Sequence, residues 1–372
     1  MTKSTTAARA EGRDLGALVP PERRDLPFRC PPDARAASRT RSRGRQAAWL
    51  LAAVVVLAVL TAASLAIGAR GLPVTTVWQA LTQFDPGDGD HAVVHARIPR
   101  TVLGLLAGGA LGLAGAAMQG VARNPLADPG IMGVNAGAAL AVVTGIYVFG
   151  ISSLTGYIWF AFIGAAAAAV VVYLIASLGR DGATPVKLAL AGAALSAGLF
   201  SLMNVILVSS QDTLDRFRFW QVGGIAVRDW SVVLPGLPFL AVGAVLVLFT
   251  GRILNSLALG DDVARGLGQR VGLARGITAL GVVLLCGSAT ALAGPIGFVG
   301  LIIPHAVRSL TGPDYRWILP FSLVLAPALL LGADIIGRVV LLPGEVPAGI
   351  MTALVGAPVF VWLIRRGKAV GL

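Results

Sequence analysis

Ten apolar stretches dominate this chain, each close to the length needed to cross a bilayer. They lie near 47–68, 101–120, 130–150, 157–178, 186–209, 231–250, 273–292, 296–311, 317–338 and 347–365. The hydrocarbon core of a membrane is about 30 Å thick and takes roughly 20 residues of helix. Polar connections separate the runs. Composition agrees: 56% of the residues are hydrophobic and only 13% charged, where soluble domains carry about 25% charged residues. Mean hydropathy is +0.80. Glycine, frequent in membrane helices, occurs 47 times. The chain is therefore expected to be an all-α polytopic membrane protein with about ten transmembrane helices.

The net charge of +12 could suggest nucleic acid, but its distribution argues against that partner. Eleven of the thirty Lys and Arg residues fall in residues 1–46, and the rest sit between apolar runs. An even number of spans puts both termini on one side. With that side cytoplasmic, twenty-three basic residues face inward and seven outward. The seven are Arg70, Arg97, Arg100, Arg216, Arg218, Arg228 and Arg338. This asymmetry follows the positive-inside rule. Residues 1–46 are rich in Arg, Pro and Ala without apolar periodicity, and read as a disordered cytoplasmic tail that can touch anionic membrane lipid. Residues 47–366 form the membrane domain, and 367–372 a short cytoplasmic end. Cys30 in the tail and Cys286 in an apolar run occupy different environments, so no disulfide is expected.

Reactive chemistry is sparse. The three lysines, Lys3, Lys187 and Lys368, lie outside any G-x-x-x-x-G-K-[ST] loop, which removes a phosphate-binding P-loop. H-E-x-x-H and G-x-S-x-G are absent. His91 and His95 stand four apart in "DPGDGDHAVVH", beside Asp85, Asp88 and Asp90. A metal site is one reading and a solvated outer loop without fixed geometry the favoured one. No cofactor is implied. Among intramembrane ionisable groups, which are functional candidates by default, Asp334 and Arg338 are placed to pair at i, i+4. His305 follows Pro304 in the eighth span. One buried carboxylate is too few for the relay of an ion-coupled secondary transporter, and the missing motifs disfavour an intramembrane enzyme. Gly104, Gly108, Gly112, Ala116 and Gly120 recur every four residues, a stripe that permits close helix packing or lines a conduit.

The segment "RILNSLALGDDVARGLGQR" (252–270) is polar, charged and longer than a turn requires. Ile253, Leu254 and Leu257 share one helical face, and Val263, Ala264 and Leu267 another. Gly260 is placed to end the first helix in a left-handed conformation and Asp261 to cap the second. Two short amphipathic helices on the cytoplasmic side, joined at a glycine, suggest a docking element for a protein partner.

Longer motifs point to a family. "RIPRTVLGLLAGGALGLAGAAMQGVARNPLADPGIMGVNAGAA" (97–139), "LNSLALGDDVARGLG" (254–268), "GPIGFVGLIIPHAVRSLTGPDYRWILPFSLVLAPALLLGADIIGR" (294–338) and "PAGIMTALVGAPVFVWLIRR" (347–366) closely resemble the FecCD-type permeases. "FWQVGGIAVRDW" (219–230) is a looser match. The resemblance covers about 50–366 and excludes the tail. It implies a type II ABC importer permease of ten helices in the bacterial plasma (inner) membrane. The implied partners are a second permease copy or paralogue, two cytoplasmic ABC ATPase subunits and an external substrate-binding protein. Metal chelates are the implied cargo: ferric siderophore first, haem or cobalamin as alternatives. The resemblance also implies roles for particular residues. Leu257, Gly260, Asp261, Ala264 and Leu267 would couple to the ATPase. Arg97, Arg100 and Arg338 would meet acidic groups of the binding protein. Asn124 and Leu126 would close the cytoplasmic mouth.

Overall fold

The computed structural model describes residues 43–178, 184–227 and 229–367. The expected disordered tail, with Cys30, falls almost wholly in residues 1–42, and the C-terminal end in 368–372. Both lie outside the described residues.

Fifteen α-helices follow one another among the described residues. They are α1 Arg43–Ala66, α2 Val74–Thr82, α3 Gly89–Ala122, α4 Val134–Phe149, α5 Leu154–Ser177, α6 Pro185–Ser209, α7 Gln211–Gln221 and α8 Trp230–Val233. The series continues with α9 Leu237–Phe249, α10 Gly251–Ala258, α11 Asp261–Gly266, α12 Val271–Ala293, α13 Val299–Thr311, α14 Tyr315–Val340 and α15 Ala348–Gly367. Seven apolar helical stretches are long enough to cross a membrane, and three shorter ones lie at 134–149, 299–311 and 348–362. Together these account for the ten apolar runs. The amphipathic α2 and the polar α7 lie outside those runs. Their short, mixed sequences span too few turns for periodicity to separate a small helix from a loop.

α3 lies at the centre. It is 34 residues long, well beyond the run 101–120, because helix propagates backwards from Thr101 through a polar first half to Gly89. His91 and His95 therefore sit on regular helix rather than in an unstructured loop. The Nδ1 of His91 accepts from the Asp85 backbone N–H at 3.1 Å. The His95 ring lies 4.1 Å from the Phe84 ring. Among the described residues no group of His, Cys, Asp or Glu is arranged to hold a metal ion.

The small-residue stripe is a packing surface. A Cβ on Gly108 would fall 2.5 Å from Pro327 Cα, and one on Gly112 2.5 Å from the Ser322 carbonyl oxygen. On the neighbouring face of α3, a Cβ on Gly115 would fall 1.9 Å from the Gly300 carbonyl. α3 thus touches α14 and α13 backbone to backbone, the approach that small residues permit in apolar surroundings. Gly104 differs. Its Cβ would meet only the ends of the Leu331 and Ile225 side chains. Gly108→Ala should therefore lower the melting temperature in detergent more than Gly104→Ala, by an over-packing cost of about 1–3 kcal/mol. Equal melting of the two variants would contradict this packing.

Candidate functional site

The bundle has two polar ends. One gathers the starts of α1 and α14 with the ends of α3 and α13. Gln46 donates to the Thr311 carbonyl at 3.2 Å, and Arg308 donates to Gln119 at 3.2 Å and to the Tyr315 hydroxyl at 3.1 Å. We call this the near end. The far end gathers the end of α1, the first half of α3 and the end of α14.

At the near end, α10 and α11 form the anticipated helix pair. Gly260 joins them at φ +110°, a conformation open to glycine at low cost. Asp261 does not cap α11 as expected. It is the first residue of that helix, and the N-cap is Gly260 without a side-chain bond. The Asp261 carboxylate instead receives Arg275 at 2.9 Å and also pairs with Arg123. The apolar stripes divide differently as well. Leu254, Leu257 and Ala264 are buried against the permease's own core. Leu259, Val263 and Leu267 are exposed. A helix pair seated on a membrane domain must spend one face on that domain, and sequence periodicity does not say which.

Arg123 ends α3 in the left-handed region, at φ +50°, and leads into "NPLAD". Burial and the neighbouring Arg275 charge both lower the Arg123 pKa. The side-chain oxygen of Asn124 accepts from the Leu126 N–H at 2.9 Å, and its carbonyl from the Ala127 N–H at 3.0 Å. Asn124 thus spends its amide on the turn, while Leu126 stands exposed. The Asp128 carboxylate, not anticipated, accepts from the Gly130 N–H at 2.7 Å. Burial raises its pKa, and that one hydrogen bond partly offsets the rise.

The far end is an ionic cluster. Arg100 forks onto Asp334, Nε to Oδ2 at 3.1 Å and Nη2 to Oδ1 at 2.8 Å, and reaches Glu345 with Nη1 at 2.7 Å. Arg338 reaches Asp334 with Nε at 2.8 Å, the Ser64 and Ile67 carbonyls at 2.7 and 3.0 Å, and the Ser64 hydroxyl at 2.7 Å. Arg97 binds the carbonyls of Leu65, Ala66 and Arg70 at 2.8, 3.0 and 2.6 Å. Arginines are favourably placed where α1 ends, because its last carbonyls lack helical partners. Two cavities, of about 220 and 360 Å³, open on either side of Arg100 and Glu345.

These contacts revise the expected docking triad. Arg338 is only 1% exposed and binds Asp334 and the end of α1. Arg97, Arg100 and Arg338 all line the 360 Å³ cavity, and Arg100 also lines the 220 Å³ one. His305 lies apart, in α13, with a buried Nδ1 that has no hydrogen-bond partner among the described residues.

Among the described residues, neither end sets a nucleophile beside a base. Both are polar clamps on a bundle of apolar helices, the layout of a membrane transport subunit. The chain belongs to the FecCD transport family, whose sequence profile matches residues 56–366. It is similar to a ferric enterobactin transport system permease protein of Escherichia coli, 48% identical, covering 84% of this chain and 93% of that one. It is also similar to a probable siderophore transport system permease protein of Bacillus subtilis, 44% identical over 86% of this chain and 96% of that one. A solved metal-chelate type ABC transporter in an inward-facing conformation superposes with a TM-score of 0.75 at 28% identity, covering 86% of this chain and 99% of that chain. The chain is thus a multi-pass membrane permease subunit of the ABC class rather than an enzyme. Its family implies a separate ATPase and a substrate-binding protein as partners.

Removing the shared carboxylate at the far end leaves buried arginine charge uncompensated. Breaking a buried pair in this way costs about 3–5 kcal/mol. Asp334→Asn should therefore lower the melting temperature in detergent sharply. Glu345→Gln, at a 38% exposed side chain, should change it little. Comparable losses in both variants would contradict this division of the cluster.

Proposed function

We propose that this chain is the permease subunit of an ATP-driven importer that carries ferric siderophore across a bacterial plasma membrane. The observation that carries the reading is the match, over most of this chain and nearly the full length of each relative, to permeases named for siderophore and enterobactin transport. The near end faces the cytoplasm. Its basic residues, among them Arg123, Arg252, Arg265, Arg270, Arg275, Arg308 and Arg316, support that orientation through the positive-inside rule. Both termini are then cytoplasmic.

In this arrangement α10 and α11 receive an ABC ATPase. The exposed Leu259, Val263 and Leu267 offer it an apolar surface, while Leu257, Gly260 and Ala264 hold that surface on the permease. The far end receives the extracytoplasmic binding protein. Arg97 and Arg100, at the rims of the cavities, suit carboxylates of that partner because guanidinium pairs with them bidentately. Arg338 supports this face from beneath. A second permease, either another copy of this chain or a paralogue, completes the pathway. Leu126 of each subunit then meets its counterpart across the cytoplasmic mouth, and Asn124 shapes the turn that presents it.

Two measurements test this reading. In a strain lacking the chain, restored uptake of labelled ferric siderophore should exceed that of labelled haem or cobalamin. Restoration of haem or cobalamin uptake alone would overturn the cargo. Leu267→Asp places a charge on the exposed stripe and should reduce co-purification of the ATPase, since a charge at the core of an interface must be desolvated. Full co-purification would remove this stripe from the interface.

A further inference from the structure

The helix pair is fastened to the permease at two polar points, and they differ in kind. The first is Asn255 of α10. Its amide nitrogen reaches Asp314 at 2.6 Å, and its oxygen accepts from the Tyr315 N–H at 2.8 Å. This joint fixes α10 to the first turn of α14. The second is Asp261, the first residue of α11. Its carboxylate is held between Arg123, the residue that ends α3, and Arg275, near the start of α12.

Arg123 is one residue before the Asn124 turn. That turn is closed by the Leu126 and Ala127 N–H groups, both of which donate to Asn124. It is hinged on α3 through Arg123, whose positive φ breaks the helix at that point. The Asn124 N–H still reaches back to the Gln119 carbonyl at 3.3 Å. A displacement of α11 that carries Asp261 with it therefore acts first on the residue that sets the direction of the turn. The exposed Leu126 side chain rides on that turn. Between α11 and Leu126 stand one ion pair and three residues of chain.

The pair is poorly suited to a purely stabilising role. Asp261 and Arg123 have side chains 26% and 34% exposed, and ion pairs with solvent access add little to stability; the pair from Asp261 to Arg275, whose side chain is 11% exposed, is the deeper one and anchors α11 to α12. Nor is Asp261 needed for charge at the start of α11, since Asp262 already lies in that first turn. What Asp261 alone supplies is a contact outside its own helix.

We propose that Asp261 is a positioning residue that ties α11 to the Arg123–Ala127 turn, so that movement of the helix pair is converted into movement of Leu126. The proposal rests on the readings that α10 and α11 receive the ATPase and that Leu126 lies at the cytoplasmic mouth, and it adds the route between them; a Leu126→Cys cross-link without nucleotide response in the otherwise unaltered transporter would mark failure of the mouth reading instead. In free-energy language, the mouth and the docking surface are two sites whose states bias one another.

The experiment uses the complete transporter, permease with its ATPase and binding protein, in proteoliposomes. Asp261→Asn and Arg123→Gln are compared with Asp261→Glu. Three readouts are taken: ATPase co-purification, substrate carried per ATP hydrolysed, and the nucleotide response of a cross-link formed at Leu126→Cys. Asp261→Asn should keep the ATPase bound and lower the substrate carried per ATP by about tenfold, within the range that coupling between sites spans. Arg123→Gln should do the same, and the double variant should be no worse than either single one, as for two partners of one contact. The cross-link should lose its response to nucleotide in both, and Asp261→Glu should restore part of it. Transport per ATP within twofold of wild type in both variants would overturn the proposal, as would a nucleotide response that survives them. Loss of the ATPase on Asp261→Asn would also overturn it, by making Asp261 a docking contact. The docking reading would then stand. Failure of that reading shows separately, as full ATPase retention by Leu267→Asp.

Discussion

The backbone contact between α3 and α14 is the constraint from which the rest of the bundle follows. In an apolar solvent, side chains gain little by leaving the lipid, so helices are held by close van der Waals approach and by polar links. Gly108 and Gly112 bring α3 onto Pro327 and Ser322 with no room for a single added carbon. Gly115 does the same against Gly300 of α13. From Leu103 to Val121 nearly every residue of α3 is buried. The outer helices, such as α1 and α6, bury far less and turn Val and Leu outward.

Each end of that column is fixed by polar contacts of a different kind. At the far end Arg100 and Arg338 share Asp334, Glu345 adds a second carboxylate on Arg100, and Arg338 also binds the last carbonyls of α1. Buried charge of this sort is tolerable only with complete pairing, so the cluster fixes the relative heights of α1, α3 and α14. At the near end the links are lighter and more exposed. Asn255 holds the start of α14, and Asp261 holds the end of α3. A transporter that changes shape needs regions that do not deform and joints that do. The deep ion cluster suits the first need, and the exposed tie at Asp261 the second.

The two docking surfaces inferred for this permease illustrate how one residue type can serve opposite purposes. Arg97 and Arg100 are adjacent on one helix turn, and Arg338 is drawn to the same end. Only depth separates them. All three line one cavity, but Arg338 is fully buried against α1 and Asp334, whereas Arg97 and Arg100 are half-buried. The same holds in the helix pair. Sequence spacing puts Ala264 and Leu267 on one helical face, yet Ala264 is buried within α11 and Leu267, just past its last residue, is exposed.

The sequence by itself determined the architecture. Ten apolar runs of membrane length allow little but helices, the paired stripes in 252–270 announce the two short helices, and the spacing of Asp334 and Arg338 announces their ion pair. Such features are local: period, length and i, i+4 geometry reside in neighbouring residues. Only the tertiary structure decided that Asp334 also receives Arg100, 234 residues away, that Asp261 reaches out of its helix to Arg123 instead of capping it, and that Leu257 and Ala264 face inward. It also extended α3 back through His91 and His95, where sequence spacing favoured a loop. Each of these depends on which surface a helix turns toward its neighbours. That orientation is set by packing across long separations in the chain, and hydrophobic period fixes a face without naming what the face will meet.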